Sequence, residues 1–170
     1  MKKKIRNNVF ETNSSSMHSL SIRPHCDTIP MVIKTISFGQ YGWEMDNYDC
    51  VDEKLSYVIT AIQYFCDDSP KSYCTSDDNK DQIINDLLDW IENNKYFQWL
   101  HEMVQDFTGS DFEVNLLSDE WNMMGYIDHE SVYLLNEYGL WSNDEKTFKD
   151  NMKEFIFNGG YMLITDNDNH

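Results

Sequence analysis

Positive charge is what this sequence has least of. Its 170 residues include 13 Lys and Arg against 30 Asp and Glu, a net charge of −17. The imbalance is uneven along the chain. Residues 1–23 carry Lys2, Lys3, Lys4, Arg6 and Arg23 against Glu11 alone, a net of +4. Residues 24–170 hold eight basic and 29 acidic groups, a net of −21. Binding to a nucleic-acid backbone needs lysines and arginines that neutralise phosphates. A body this acidic therefore argues against direct DNA or RNA binding, except through the basic tip. The acidity fits a solvated, self-repelling surface, or a surface that imitates DNA and occupies a partner's basic groove.

Other absences narrow the field. There are only three prolines, each isolated, and no Gly/Ser/Pro-rich linker, so a single domain over residues 1–170 is expected. The four cysteines, Cys26, Cys50, Cys66 and Cys74, form no C-x-x-C pair. That disfavours a structural zinc site and leaves free thiols in a reducing compartment. No stretch approaches the ~20 apolar residues of a membrane span. Lys2–Lys4 are not followed by the apolar core of a signal peptide. The expectation is a cytoplasmic protein with no membrane partner.

What is present is a core. Hydrophobic residues make up 41% of the chain and aromatics 14%, which argues against disorder despite the charge. Residues 17–23 alternate with period two, His18, Leu20 and Ile22 on one face, and Pro24 stops them. Residues 31–38 are rich in β-branched types and predict a second strand. Gly39 and Gly42 bracket a predicted turn, followed by an acidic loop. Leu55, Val58, Ile59, Ile62 and Cys66 fall at helical spacing. So do Ile83, Ile84, Leu87, Leu88 and Ile91, after a cap at Asp77 or Asp78. A third stripe runs Tyr96, Leu100, Met103, Val104 and Phe107 to Gly109. Residues 111–117 predict a strand, and a short helix then ends at Gly139. Ser142 and Glu145 have capping-box spacing ahead of a fifth helix. Residues 161–165 close with a strand. This order predicts an α+β fold, a small mixed or antiparallel sheet of about four to five strands covered by about five helices.

The candidate chemistry lies in three polar segments. The first is RNNVFETNSSSMHS, residues 6–19. Thr12, Asn13, Ser14, Ser15 and Ser16 offer neutral donors and acceptors to phosphate or sugar oxygens, and Arg6 offers a bidentate contact. Glu11 and His18 add acid–base groups. The same residues also suit a turn leading into a strand. His18 also fits the edge of a core. The segment contains no glycine, so it is neither a P-loop nor a dinucleotide fingerprint, and there is no G-x-S-x-G elbow. The second segment is IDHES, residues 127–131. Asp128 and His129 could transfer protons or bind metal, with Ser131 as a ligand contact, or Asp128 or Ser131 could cap a helix. The third is TDNDNH at 165–170, where Asp168 offers oxygen to a divalent metal or simply lies in solvent.

The first segment resembles an N-terminal signature of uncharacterised proteins of bacteriophages and their low-GC Gram-positive hosts. Those proteins also carry an IDH-x-S segment and an ND tail, matched here by Ile127–Ser131 and by Asn167-Asp168. The resemblance covers about a fifth of the chain. It implies a phage or mobile-element origin, and hence host-cell cytoplasm, and it implies that the three segments belong to one feature. It carries no established activity. Three functions follow as expectations. One is a site for a small phosphorylated molecule such as a nucleotide, with hydrolase or transferase chemistry. Another is an acidic anti-defence inhibitor that binds a host protein through its basic surface. The last is a polar motif with a purely structural role.

Overall fold

The computed structural model describes residues 18–22, 35–41, 46–66, 68–70, 80–116, 125–127 and 134–165. Its elements run β1 (His18–Ile22), β2 (Thr35–Ser37), β3 (Gln40–Tyr41), β4 (Asp46–Tyr48), α1 (Val51–Phe65), α2 (Lys80–Asn93), α3 (Lys95–Thr108), β5 (Glu113–Asn115), β6 (Tyr126–Ile127), α4 (Leu134–Glu137), α5 (Glu145–Phe157) and β7 (Tyr161–Thr165). The class is α+β, as the order of patterns predicts. The expected single sheet of four or five strands is corrected. Among the described residues seven short strands form three small sheets, ordered β1-β7-β4, β2-β5 and β3-β6.

Helix α1 sits at the centre. It packs on β2, β6, α3 and α5. Leu55, Tyr57, Val58, Ile59, Ala61 and Ile62 are fully buried. Enclosure on most sides explains why its apolar residues exceed a single stripe. One charged residue goes in with them. Lys54 is fully buried, and its Nζ donates to the carbonyl of Asn158 at 3.1 Å. Asn158 is the C-cap of α5. A cation there meets the negative end of that helix and one of its orphan carbonyls.

The strand break at Phe38-Gly39 separates two parallel ladders. Thr35–Ser37 pair with Glu113–Asn115, and Gln40–Tyr41 pair with Tyr126–Ile127. The expected turn at Gly39 is thus a kink inside one strand line. The backbone approaches α1 closely at this point. Gly39 N donates to Thr60 Oγ1 at 3.0 Å, and Tyr126 N to Gly39 O at 2.8 Å. A Cβ at Gly125 would collide with the Thr60 methyl and lie 2.7 Å from Gly39 O. A Cβ at Gly39 would lie 2.5 Å from the Tyr41 ring.

The helix ends are built from local side chains. Asn94 caps α3 by accepting from the amides of Tyr96 and Phe97, so the Asn93-Asn94 pair marks a boundary between two helices. Gly109 ends α3 with φ 73°, a left-handed conformation that suits glycine. Asp144, not Ser142, caps α5 by accepting from Thr147 N at 2.9 Å. Ser142 Oγ accepts from Asp144 N instead. The acidic loop expected after Gly42 contains a strand, β4, which pairs with β7.

Two outcomes are expected. Gly125→Ala should lower stability in urea unfolding by about 1–3 kcal/mol, the usual cost of overpacking, because backbone as well as side chain must give way. Lys54→Met should be at least as stable as the parent near neutral pH, since it removes a buried charge. Burial lowers the Lys54 pKa below its ordinary value, against the pull of Asp49 and Cys50. The unfolded chain therefore binds more protons between the lowered value and 10.5, and the parent gains stability as pH rises through that window. The gap between the two proteins should narrow accordingly. A variant that is less stable at neutral pH, by a margin constant with pH, would contradict this.

Candidate functional site

The polar segments predicted from the sequence fall mostly beyond view. Arg6, Glu11, Thr12, Asn13, Ser14, Ser15, Ser16, Asp128, His129, Ser131 and Asp168 lie outside the described residues. Three attachment points are described. His18 opens β1 and Thr165 closes β7, and the two are partners in antiparallel register. Asp46 of β4 pairs with Thr165 from the other side. Ile127 closes β6 and pairs with Tyr41, whose ring stands edge-on to Tyr48 of β4 at 5.2 Å. The end of the first polar segment and the start of the third are thus joined through one sheet end.

The start of α1 gathers a different group. One ligand atom each of Asp49, Cys50 and Glu53 lies within 4.8 Å of the others, and all three residues are exposed. Cys50 is the N-cap, and Glu53 Oε2 accepts from its amide at 3.4 Å. Cys50 Sγ donates to Asp49 Oδ1 at 3.6 Å. These contacts make a capping arrangement. Glu53 first, then slight burial and Asp49 and Asp52, push the Cys50 thiol above its ordinary pKa. The thiolate, and with it nucleophilic reactivity, is disfavoured.

One Asp–His pair is described, and it is not the predicted one. His101 Nδ1 and Asp111 Oδ1 are 2.7 Å apart, and the imidazole stacks on Phe112 with centroids 4.1 Å apart. Burial would raise the Asp111 pKa, but the bonds from His101 and the Phe112 amide outweigh it and hold the carboxyl low. The pair fastens the middle of α3 to the segment that leads into β5. Sequence spacing gives no sign of it, because the partners stand ten positions apart across a helix end.

Between α3 and α5 lies an open groove of about 520 Å³, floored by Met103 and Phe107. Most of the charges around it are matched internally. Lys149 binds both Glu102 and Glu145, Lys146 binds Asp150 at 2.6 Å, and Lys153 sits 4.2 Å over the Phe107 ring.

Helix α2 is the contrast. Leu87, Trp90 and Ile91 are buried. Trp90 meets Phe97 edge-on at 5.4 Å and donates to Asp68 at 3.3 Å. The outer arc carries Asp81, Asp86, Asp89 and Glu92, all exposed. Residues 81–94 contain no Lys or Arg. Asp86 and Asp89 accept from the amides of Gln82 and Asn93. Among the described residues no cation pairs with any of the four carboxylates. Leu88, expected in the core, is 41% exposed at the edge of this arc. The five-residue apolar stripe read from the sequence is wider than the surface α3 can cover.

No protein-family model, curated protein or solved structure matches this chain.

In peptide-resolved alkylation at neutral pH, Cys50 should react more slowly than a free cysteine in a peptide. Glu53→Gln should speed it, because the first cause of the raised pKa is removed. Equal rates in both proteins would show that Glu53 does not set the thiol's protonation.

Proposed function

We propose that this protein is an acidic docking module that occupies the basic surface of a partner protein, where that partner would otherwise hold nucleic-acid phosphates. The observation that carries the proposal is the outer arc of α2, with four exposed carboxylates and no paired cation among the described residues. Around α5, by contrast, Glu102, Glu145 and Asp150 are neutralised in place. Complementary potential steers association and fixes partner choice. An exposed leucine at the edge of the acids adds an apolar contact that bare phosphate mimicry would not need. The resemblance to phage and host proteins supports an anti-defence setting, with a host nucleic-acid-binding or defence protein as target.

The test is capture of basic host proteins with and without neutralised α2. Binding should weaken as salt rises. It should be lost in the variant Asp81→Asn, Asp86→Asn, Asp89→Asn, Glu92→Gln. A partner that binds both proteins equally at every salt concentration would rule the proposal out.

A second reading has its own support. The register of His18 with Thr165 joins two polar segments at one sheet end. It favours a small-molecule site, with Glu11, His18, Asp128 and His129 as acid–base groups and Asp168 as a metal ligand. Nucleotides and divalent metals should then raise the melting temperature. A ligand at 100 times its Kd adds about 2.7 kcal/mol. His18→Ala should abolish the shift while the variant stays folded. An unshifted melting temperature across the nucleotide and metal panel would count against this site.

A further inference from the structure

One lysine of this acid-rich chain rests on rings and not on a carboxylate. Lys95 is the first residue of α3 and is exposed. Its Nζ lies 4.8 Å from the centroid of the Tyr96 ring and 5.3 Å from that of Trp99. Among the described residues no carboxylate pairs with it. The two rings stand at 84° with centroids 5.3 Å apart, so they form a corner, and the ammonium fills it. A cation within about 6 Å of an aromatic centroid is drawn to the negative face of the ring. Lys153 makes the same contact with a single phenyl ring, that of Phe107.

The corner is held from behind. Tyr96 Oη donates to Asn143 Oδ1, and its ring packs on Trp141 with centroids 4.4 Å apart. The half-buried Trp99 packs on Phe148 at 5.8 Å. Both rings are therefore positioned by contacts other than Lys95. The surroundings favour positive charge. Glu102 follows Trp99 at three-residue spacing, on the same side of α3. Glu102 and Glu145 share one cation, Lys149. Two carboxylates against one ammonium leave the neighbourhood of the corner negative.

We propose that the Tyr96–Trp99 corner is a binding site for an arginine side chain of another protein, and that Lys95 is the built-in occupant which this arginine displaces. A guanidinium suits the corner better than an ammonium. It is planar and more weakly hydrated, it stacks on an aromatic face, and its N–H edge stays free to meet a carboxylate. Lys95 is displaceable, because its ammonium is exposed and bound to no acid. Its covalent tether gives a local concentration on the order of millimolar, so the corner stays filled in the free protein and a lone arginine binds weakly. An arginine on a partner already docked elsewhere gains the same advantage of linkage. That use of the site rests on the docking function proposed above, whereas the affinity of the corner for a guanidinium does not.

The experiment uses the full chain, isotopically labelled, and follows the indole N–H resonance of Trp99, which Trp99→Phe identifies. The probes are N-acetylarginine amide and N-acetylcitrulline amide, its neutral isostere, at constant ionic strength. The arginine probe should shift the Trp99 signal in a saturable way and leave that of the buried Trp90 in place. The citrulline probe should shift neither. Lys95→Ala should lower the half-saturating arginine concentration several-fold. That variant keeps the fold, since alanine is a good helix former and the lost cation opposed the dipole of α3. A Trp99 signal that stays still in both proteins, that moves equally with citrulline, or that responds alike in the parent and in Lys95→Ala would each overturn the proposal. A Trp99 response without any captured partner would leave this site standing and remove the docking function. A salt-sensitive partner without a Trp99 response would do the reverse.

Discussion

Enclosing α1 on most of its circumference forces the molecule to deal with four polar side chains at once. Lys54, Thr60 and Gln63 are buried and Ser56 is half-buried. A buried polar group without a partner costs about 1–3 kcal/mol. The end of α5 and the β2–β3 line meet that requirement. The end of α5 supplies a carbonyl to Lys54. The carbonyl of Ser37, the last residue of β2, accepts from Ser56 at 2.7 Å. Thr60 donates to Ser56 O and accepts from Gly39 N. Gln63 lies on the same helix face, and its amide finds no partner among the described residues.

The strand break follows from the same seam. For Thr60 to reach the Gly39 amide, the β2–β3 line must come down onto the helix. Glycine at 125 permits that approach, since a Cβ there would meet Thr60 and Gly39 O, and glycine at 39 leaves room for the Tyr41 ring. The two ladders are therefore short and offset, since β2 and β3 cannot continue straight through the kink. Tyr41 then turns back over α1, where its hydroxyl donates to Glu53 O at 3.2 Å and its ring meets Tyr57 at 5.1 Å. Burial drives the hydroxyls of both tyrosines well above the usual phenol pKa, so this aromatic corner stays neutral wherever the fold is stable.

Much of this frame is legible in the sequence, and the rest fails for definite reasons. The helical stripes locate α1, α2, α3 and α5, because a 3.6-residue period over about fourteen residues is hard to mimic. Strands β1 and β7 show by alternation and apolar content. Strands β3, β4 and β6 do not, because two or three residues carry no period. Lys54 stands at helical spacing with Val51 and Val58, which was a sign of its burial, but its partner on α5 is 104 residues away. Leu88 looked like core because the sequence does not say how wide a face α3 can cover. The predicted polar site is legible only as far as the pairing of His18 with Thr165.

The charges of α2 cost the helix something, and that cost bears on the docking function proposed above. Asp86 and Asp89, and Asp89 and Glu92, are like-charged neighbours three residues apart. Such pairs destabilise a helix by about 0.2–0.5 kcal/mol each. Glu92 also stands in the last turn, where no basic residue offsets the negative end of the helix dipole. Helix α5 solves the equivalent problem with Glu145–Lys149 and Lys146–Asp150 at four-residue spacing. The same chain therefore neutralises one exposed helix and leaves another charged, with burial of Leu87, Trp90 and Ile91 holding the charged one in place. A merely solvated surface gains nothing from that asymmetry. A face that must meet cations does, because carboxylates already paired within the molecule would have to be released before a partner could bind.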